Sequence, residues 1–197
     1  MAAQPLPLTL ASASPRRLEL LRAAGLVFDV RPAEVDEAVL PSERPREYVE
    51  RMARKKLDSA LEKVDEGLVL AADTVVVLGE SILGKPTDDE HAVSMLVRLA
   101  GRAHRVLTAV SLGEARDAVL EELTVTTEVR FRTATREELA RYVATGEGRD
   151  KAGSYAIQGI GAGLVQAIHG SYTNVVGLPL VETLSLLARH RGIAEWP

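Results

Sequence analysis

Asp73 is the only charged residue between Leu68 and Leu78, a run otherwise made of apolar and β-branched side chains plus Thr74. Such a run reads as a strand buried on both faces. An ionised carboxylate there costs several kcal/mol unless it is paired or faces a cation. A metal ligand or a base for a water is one reading; a structural pair with an arginine is the bland one. A second signal is Ser12-Ala13-Ser14-Pro15-Arg16-Arg17. Ser14 fits a helix N-cap and Pro15 the first helical position. Arg16 and Arg17 then fall in the first turn, where the helix dipole disfavours each cation by about 0.3–1 kcal/mol. A bound anion reverses that sign, so a hydroxyl, two guanidinium groups and a helix start form a polyphosphate cradle. Solvated arginines on a capped surface helix are the alternative.

Two lysines add to this set. The chain has five lysines against nineteen arginines. In the helix predicted over Arg46–Val64, Val49, Ala53, Leu57, Ala60 and Val64 share one face. Lys56 projects at the edge of that face and Lys55 away from it, so Lys56 either snorkels or reaches into a site. Lys85, in Gly84-Lys85-Pro86, follows the hairpin after the Asp73 strand. Finally, eight of the fifteen glycines lie between Gly146 and Gly177, around Lys151-Ala152-Gly153-Ser154-Tyr155-Ala156-Ile157-Gln158-Gly159. That density permits close backbone approach to a ligand. Gln158 carries the donor and acceptor needed to read a pyrimidine edge; a loop shaped only by turn geometry is the plain reading.

The elements that must position these residues alternate between strand and helix. Strands are predicted at Leu6–Ser12, Val27–Arg31, Leu68–Leu78, Ile82–Leu83, Arg105–Leu112 and Leu123–Arg132. Helices are predicted from Ser14-Pro15 to Ala24, at Arg46–Val64, Asp88–Ala100, Arg136–Thr145 and Leu180–Ala188. A polar, proline-bearing connection covers Pro32 to Pro45. This is an α/β chain with a mixed sheet, and its 197 residues read as one domain over 1–197.

Composition removes several function classes. With no cysteine, disulfides, zinc–thiolate centres and thiol catalysis are excluded. The histidines at 91, 104, 169 and 190 lack metal-ligand spacing, so a metal would be held by carboxylates, which suits Mg²⁺ or Mn²⁺. Walker A, G-x-G-x-x-G and G-x-S-x-G patterns are absent. A net charge of −4 disfavours nucleic acid and anionic membranes as partners, and 4% aromatic residues disfavour a base-stacking platform. No targeting segment or membrane span is read, and the expected location is cytoplasmic.

The segments LASASPRR, VDE, RMARKK, LAADTVVVL, LGKP, DKAGSYAIQG and VVGLPLVETL resemble the Maf nucleotide pyrophosphatases, once called septum-formation inhibitors. The likeness runs from about Leu8 to Leu187 with the motifs in family order. It implies an elongated two-lobed α/β fold with a strongly twisted mixed sheet, a cleft between the lobes and a relation to the inosine-triphosphate pyrophosphatases. It implies cleavage of a nucleoside triphosphate to the monophosphate and pyrophosphate, with a divalent metal. By the same resemblance Asp73 is the catalytic aspartate and Glu37 the second acidic position, both at the metal. Ser14, Arg16, Arg17, Lys56 and Lys85 are the phosphate-binding positions. Arg16, Thr74 and Gln158 match the dTTP/UTP branch, whereas the 7-methyl-GTP branch carries Trp, Gln and Glu at these places. The family also suggests a homodimer. A non-catalytic nucleotide-binding regulator of cell division is the alternative that the older name suggests.

Overall fold

The computed structural model describes residues 5–115 and 119–193. Its secondary structure runs β1 (Leu8–Leu10), α1 (Pro15–Ala23), β2 (Asp29–Val30), α2 (Pro45–Leu61), β3 (Leu68–Leu78), β4 (Ser81–Leu83), α3 (Asp89–Leu99), β5 (Ala103–Glu114), β6 (Val119–Phe131), α4 (Arg136–Ala144), β7 (Val165–His169), α5 (Tyr172–Val176) and α6 (Leu180–Arg189). The strands form a seven-stranded sheet in the order β2-β1-β3-β5-β6-β7, with β4 on β3. β1 runs parallel to β2 and β3, while β4 is antiparallel to β3 and β7 to β6. The sheet is therefore mixed. Among the described residues, no helix is long and apolar enough to cross a membrane.

Two compact units divide the chain. The first comprises Met1–Asp73, Thr108–Val125 and Gly177–Pro197; the second comprises Thr74–Leu107 and Thr126–Val176.

In the first unit the two-residue period of β3 sets the layers. Leu68, Leu70 and Ala72 pack with Leu8, Leu10, Leu21, Leu178, Leu186 and Leu187, and thus with α1 and α6. Val69 and Ala71 point the other way, into a cluster with Ala11 and with Leu57 and Ala60 of α2. The next residue on the α2 side is Asp73. The face predicted for α2 is buried at Val49, Ala53, Leu57 and Ala60, and is widened by Tyr48 and Met52. The helix begins at Pro45, one residue before the expected start. It ends at Leu61 rather than Val64, because Lys63 and Val64 donate to Ala60 and Leu61 in tighter turns.

β1 and β2 are shorter than expected. The N–H of Leu6 donates to Arg191 O, outside the ladder, and Pro7 has no N–H to give. Pro7 still accepts from Leu68 N at 2.7 Å. Gly67, at φ +88°, permits that contact, since a Cβ there would lie 2.3 Å from Pro7 O.

The second unit packs α3 and α4 around Val76, Leu83, Leu96, Leu99, Val129, Phe131, Leu139 and Tyr155. α3 is capped by Asp88, which accepts from His91 N at 2.7 Å. α4 carries a Thr135/Glu138 capping box. His104, Phe131 and Tyr155 meet edge to face at 4.7–5.5 Å between centroids. His104 Nε2 lies 2.8 Å from the Tyr155 hydroxyl, and its buried Nδ1 has no partner.

Burial pushes the His104 pKa down to about 4. The folded protein therefore holds this imidazole neutral, while the unfolded chain protonates it near 6.5. The sign follows: the contribution is complete above pH 6.5 and is lost as pH falls towards 4. His104→Leu should flatten the pH dependence of urea stability between pH 7 and pH 4, where the wild-type loss from this group approaches about 3 kcal/mol.

Candidate active site

Asp73 is only 8% exposed. Its partner is a lysine rather than an arginine: Lys56 Nζ stands 2.6 Å from Asp73 Oδ1. The same ammonium lies 2.8 Å from Glu37 Oε1. The Lys56 side chain is 13% exposed, against 12% for Asp73 and 47% for Glu37. Lys56 therefore reaches inward from the edge of the apolar face of α2, and Lys55 is exposed, as their angular positions predict. The geometry follows from the layering above. Val69 and Ala71 put Asp73 on the α2 side, and Leu57 brings its neighbour Lys56 to that place.

Glu37 belongs to the polar connection before α2, which is tied down on the α2 side. Tyr48 donates its hydroxyl to Glu37 O at 3.0 Å. Arg51 donates to Ala38 O at 3.0 Å and to both oxygens of Glu43 at 2.5 and 2.6 Å. Glu43 in turn accepts from Leu40 N. The Arg51 hydrogen bonds hold the Glu43 carboxyl down at about 2, so this anchor is charged throughout the neutral range. Burial, with the nearby Asp73 and Glu37 charges, pushes the Tyr48 hydroxyl up to about 12. Tyr48, Arg51 and Glu43 were not among the sequence candidates. The available signal was Tyr48 four residues before Met52, on the buried face of the helix.

The two arginines of the first helical turn part company. Arg17 is buried: its Nε donates to Gly177 O at 2.7 Å, and its Nη1 to Ala72 O at 2.7 Å and Ser12 Oγ at 3.2 Å. Burial pulls its pKa down from the ordinary arginine value, and the Asp73 charge opposes that. Arg17 thus ties the start of α1 to the residue before Asp73 and brings positive potential to the carboxylate. Arg16 and Ser14 are half-buried. Ser14 occupies the N-cap position but makes no side-chain capping bond; its N–H donates to Ser12 Oγ at 3.2 Å.

Thr74, Lys85 and Gln158 belong to the second unit. Thr74 follows Asp73 on β3 and is half-buried, while Lys85 and Gln158 are exposed. Gly153 N donates to Gly84 O at 3.0 Å, which links the Lys85 segment to the start of the glycine-rich stretch. Gly153, at φ +69°, also lies against Val76, where a Cβ would come within 3.0 Å.

Asp73 and Glu37 converge on one cationic centre, the Lys56 ammonium, so both can face a single positive charge. Among the described residues, no three His, Cys, Asp or Glu side chains are grouped to hold a metal. Two hard oxygen donors without a third fit a cation that takes one or two carboxylates and completes its shell with water and phosphate oxygens. Lys56→Met would leave Asp73 in place without its ammonium. It should cost about 2–3 kcal/mol in urea unfolding, below the figure for a fully buried pair because some water contact remains. Lys56→Met with Asp73→Asn should cost less than the two single changes summed, which a double-mutant cycle measures.

A family profile described as Maf-like protein matches residues 7–190. The chain is 54% identical over 184 residues to the dTTP/UTP pyrophosphatase of Anaeromyxobacter dehalogenans (strain 2CP-C), covering 92% of this chain and 93% of that one. It is 47% identical over 189 residues to the dTTP/UTP pyrophosphatase of Escherichia coli O157:H7, with 95% of each covered. Among solved structures, the Staphylococcus aureus Ham1 protein overlays 64% of this chain and 71% of its own at a TM-score of 0.46 and 15% identity. The profile takes in β1, the α1 start, Glu37, Lys56 and Asp73 in one unbroken match, and the chain belongs to the Maf-like protein family.

Proposed function

We propose that this chain hydrolyses dTTP and UTP to the nucleoside monophosphate and pyrophosphate. The observation that carries the reading is the Glu37–Lys56–Asp73 set, a buried carboxylate held beside an ammonium at 2.6 Å. It stands in a chain whose relatives are named for that reaction. Asp73 accepts a proton from the attacking water as the water oxygen bonds to the α-phosphorus. The bond from that phosphorus to the bridging oxygen breaks, and pyrophosphate leaves. Lys56 and Arg16 offset the charge on the triphosphate and its leaving group, with Ser14 as a hydroxyl donor and Arg17 contributing through its field. We assign Asp73 and Glu37 as the protein donors to a divalent cation, Mg²⁺ or Mn²⁺, which when bound neutralises phosphate oxygens. The same reading places the protein in the cytoplasm as a homodimer acting on free nucleotides.

Base selection falls to Arg16, Thr74 and Gln158. A uracil or thymine edge presents acceptor, donor, acceptor, and a carboxamide matches a neighbouring pair of these. The Gln158 side chain makes no capping bond to its own backbone turn and is exposed.

Asp73→Asn keeps the shape and removes the base. Its turnover of UTP should fall by about 10²–10⁴, with the fold retained by circular dichroism at the assay temperature; activity above roughly a tenth of wild type would return Asp73 to a structural role. Wild-type products should be UMP and pyrophosphate, and release of single phosphate with UDP would refute the reading. A binding-only regulator would give no turnover at all. Gln158→Glu turns a donor into an acceptor against a base carbonyl, at about 1–3 kcal/mol. The UTP-to-GTP ratio of kcat/KM should therefore fall by roughly ten- to a hundredfold.

A further inference from the structure

We propose that Glu147 is a positioning residue for base selection: its carboxylate caps the turn that follows Gln158, and so fixes where the Gln158 carboxamide is held. The inference rests on the reading of Gln158 given above. Gln158 occupies the N-cap position of the short helical turn Gly159–Leu164, in extended backbone, yet its own side chain does no capping. The first N–H groups of such a turn need acceptors. Glu147, eleven residues upstream of Gln158, supplies them. Ile160 N donates to Glu147 Oε1 and Gly161 N to Glu147 Oε2, each at 2.8 Å. One carboxylate thus does the work a Ser or Asp would do at position 158, and the amide remains available to a ligand.

The glycines are the footprint of that carboxylate. Gly159 has φ +73°, and a Cβ there would stand 2.1 Å from Glu147 Oε1. At Gly161 a Cβ would stand 2.3 Å from Ala156 O, 2.7 Å from the Tyr142 hydroxyl and 3.1 Å from Glu147 Oε2. Gly159 therefore answers to the Glu147 side chain, and Gly161 first to Ala156 O and the Tyr142 hydroxyl and then to the same carboxylate. Apolar packing does not hold the start of the turn, since Ile160 is 63% exposed.

Glu147 is itself held. The buried Tyr142 hydroxyl hydrogen-bonds its carboxylate and accepts from Ala156 N at 3.1 Å. Lys151 Nζ lies 2.5 Å from Glu147 O. Burial opposes ionisation of Glu147, but the two backbone N–H groups, Tyr142 and Lys151 outweigh it and keep the carboxyl below its ordinary value. The consequence for selection is specific. A carboxamide serves uracil or, turned over, cytosine. Whether it meets either pyrimidine edge, or leaves room for a larger purine, depends on where its backbone places it, and Glu147 determines that place.

The test compares kcat/KM for UTP, CTP and GTP in wild type, Glu147→Ala, Glu147→Gln and Gln158→Glu, with amide hydrogen exchange at Ile160 and Gly161. Glu147→Ala should lower the UTP-to-GTP ratio about five- to tenfold, mainly through KM for UTP, and speed exchange of both amides by about tenfold. Glu147→Gln keeps one acceptor and should fall between; it also decides the matter if the alanine variant does not fold. A merely structural role would lower the rates for all three nucleotides in proportion and leave the ratio unmoved. An unmoved UTP-to-GTP ratio in both Glu147 variants, with that ratio shifted in Gln158→Glu, would overturn this inference alone. No shift in any variant would remove the Gln158 reading and this inference with it.

Discussion

The Lys56 ammonium, held at 2.6 Å from Asp73 and 2.8 Å from Glu37, is the contact on which the site in the first unit depends. A carboxylate in the interior of an apolar strand is tolerated only with such a partner. Three separate pieces of chain must cooperate to supply it. β3 alternates so that Asp73 falls on the α2 side. α2 buries Leu57 and Ala60 there, which carries Lys56 to the carboxylate. The connection before α2 is pinned by Tyr48, Arg51 and Glu43, which brings Glu37 to the other side of the ammonium. The result is one cationic centre shared by two carboxylates.

Around that contact the structure separates groups that hold from groups that face outward. Arg17 turns its guanidinium to Ala72 O, Gly177 O and Ser12 Oγ, and so secures the backbone next to Asp73. Arg16, its neighbour, stays half-buried at the helix start. The second unit repeats the division. Glu147 holds the turn and Gln158 is exposed beside it. In both cases a buried or anchored charge fixes backbone. This is the preorganisation that a site for a highly charged substrate requires, since dipoles and charges already in place need no reorganisation during the reaction.

Much of this was legible in the sequence because it is local. An eleven-residue apolar run with one charge announces both β3 and Asp73. The helical period of α2 separates Lys56 from Lys55. Proline at the helix start and glycine after its end bracket α1 within a residue of where it lies. What was not legible is what depends on distant chain. Nothing near Asp73 says that its partner is Lys56, seventeen residues away on another element. Arg16 and Arg17 look alike in the first turn, and only the packing of Ala72 and Gly177 against α1 distinguishes them. The start of β1 depends on pairings that Pro7 and Arg191 redirect. The glycine density around Gln158 read as room for a ligand, or as plain turn geometry, because the carboxylate that crowds Gly159 comes from Glu147.

A water beside Asp73 that attacks the α-phosphorus of a pyrimidine triphosphate leaves its oxygen in the monophosphate. Hydrolysis of UTP in water labelled with heavy oxygen, followed by mass spectrometry of both products, tests it most directly. The account predicts one labelled oxygen in UMP and none in pyrophosphate. Label in pyrophosphate, or in free phosphate released with UDP, would contradict it.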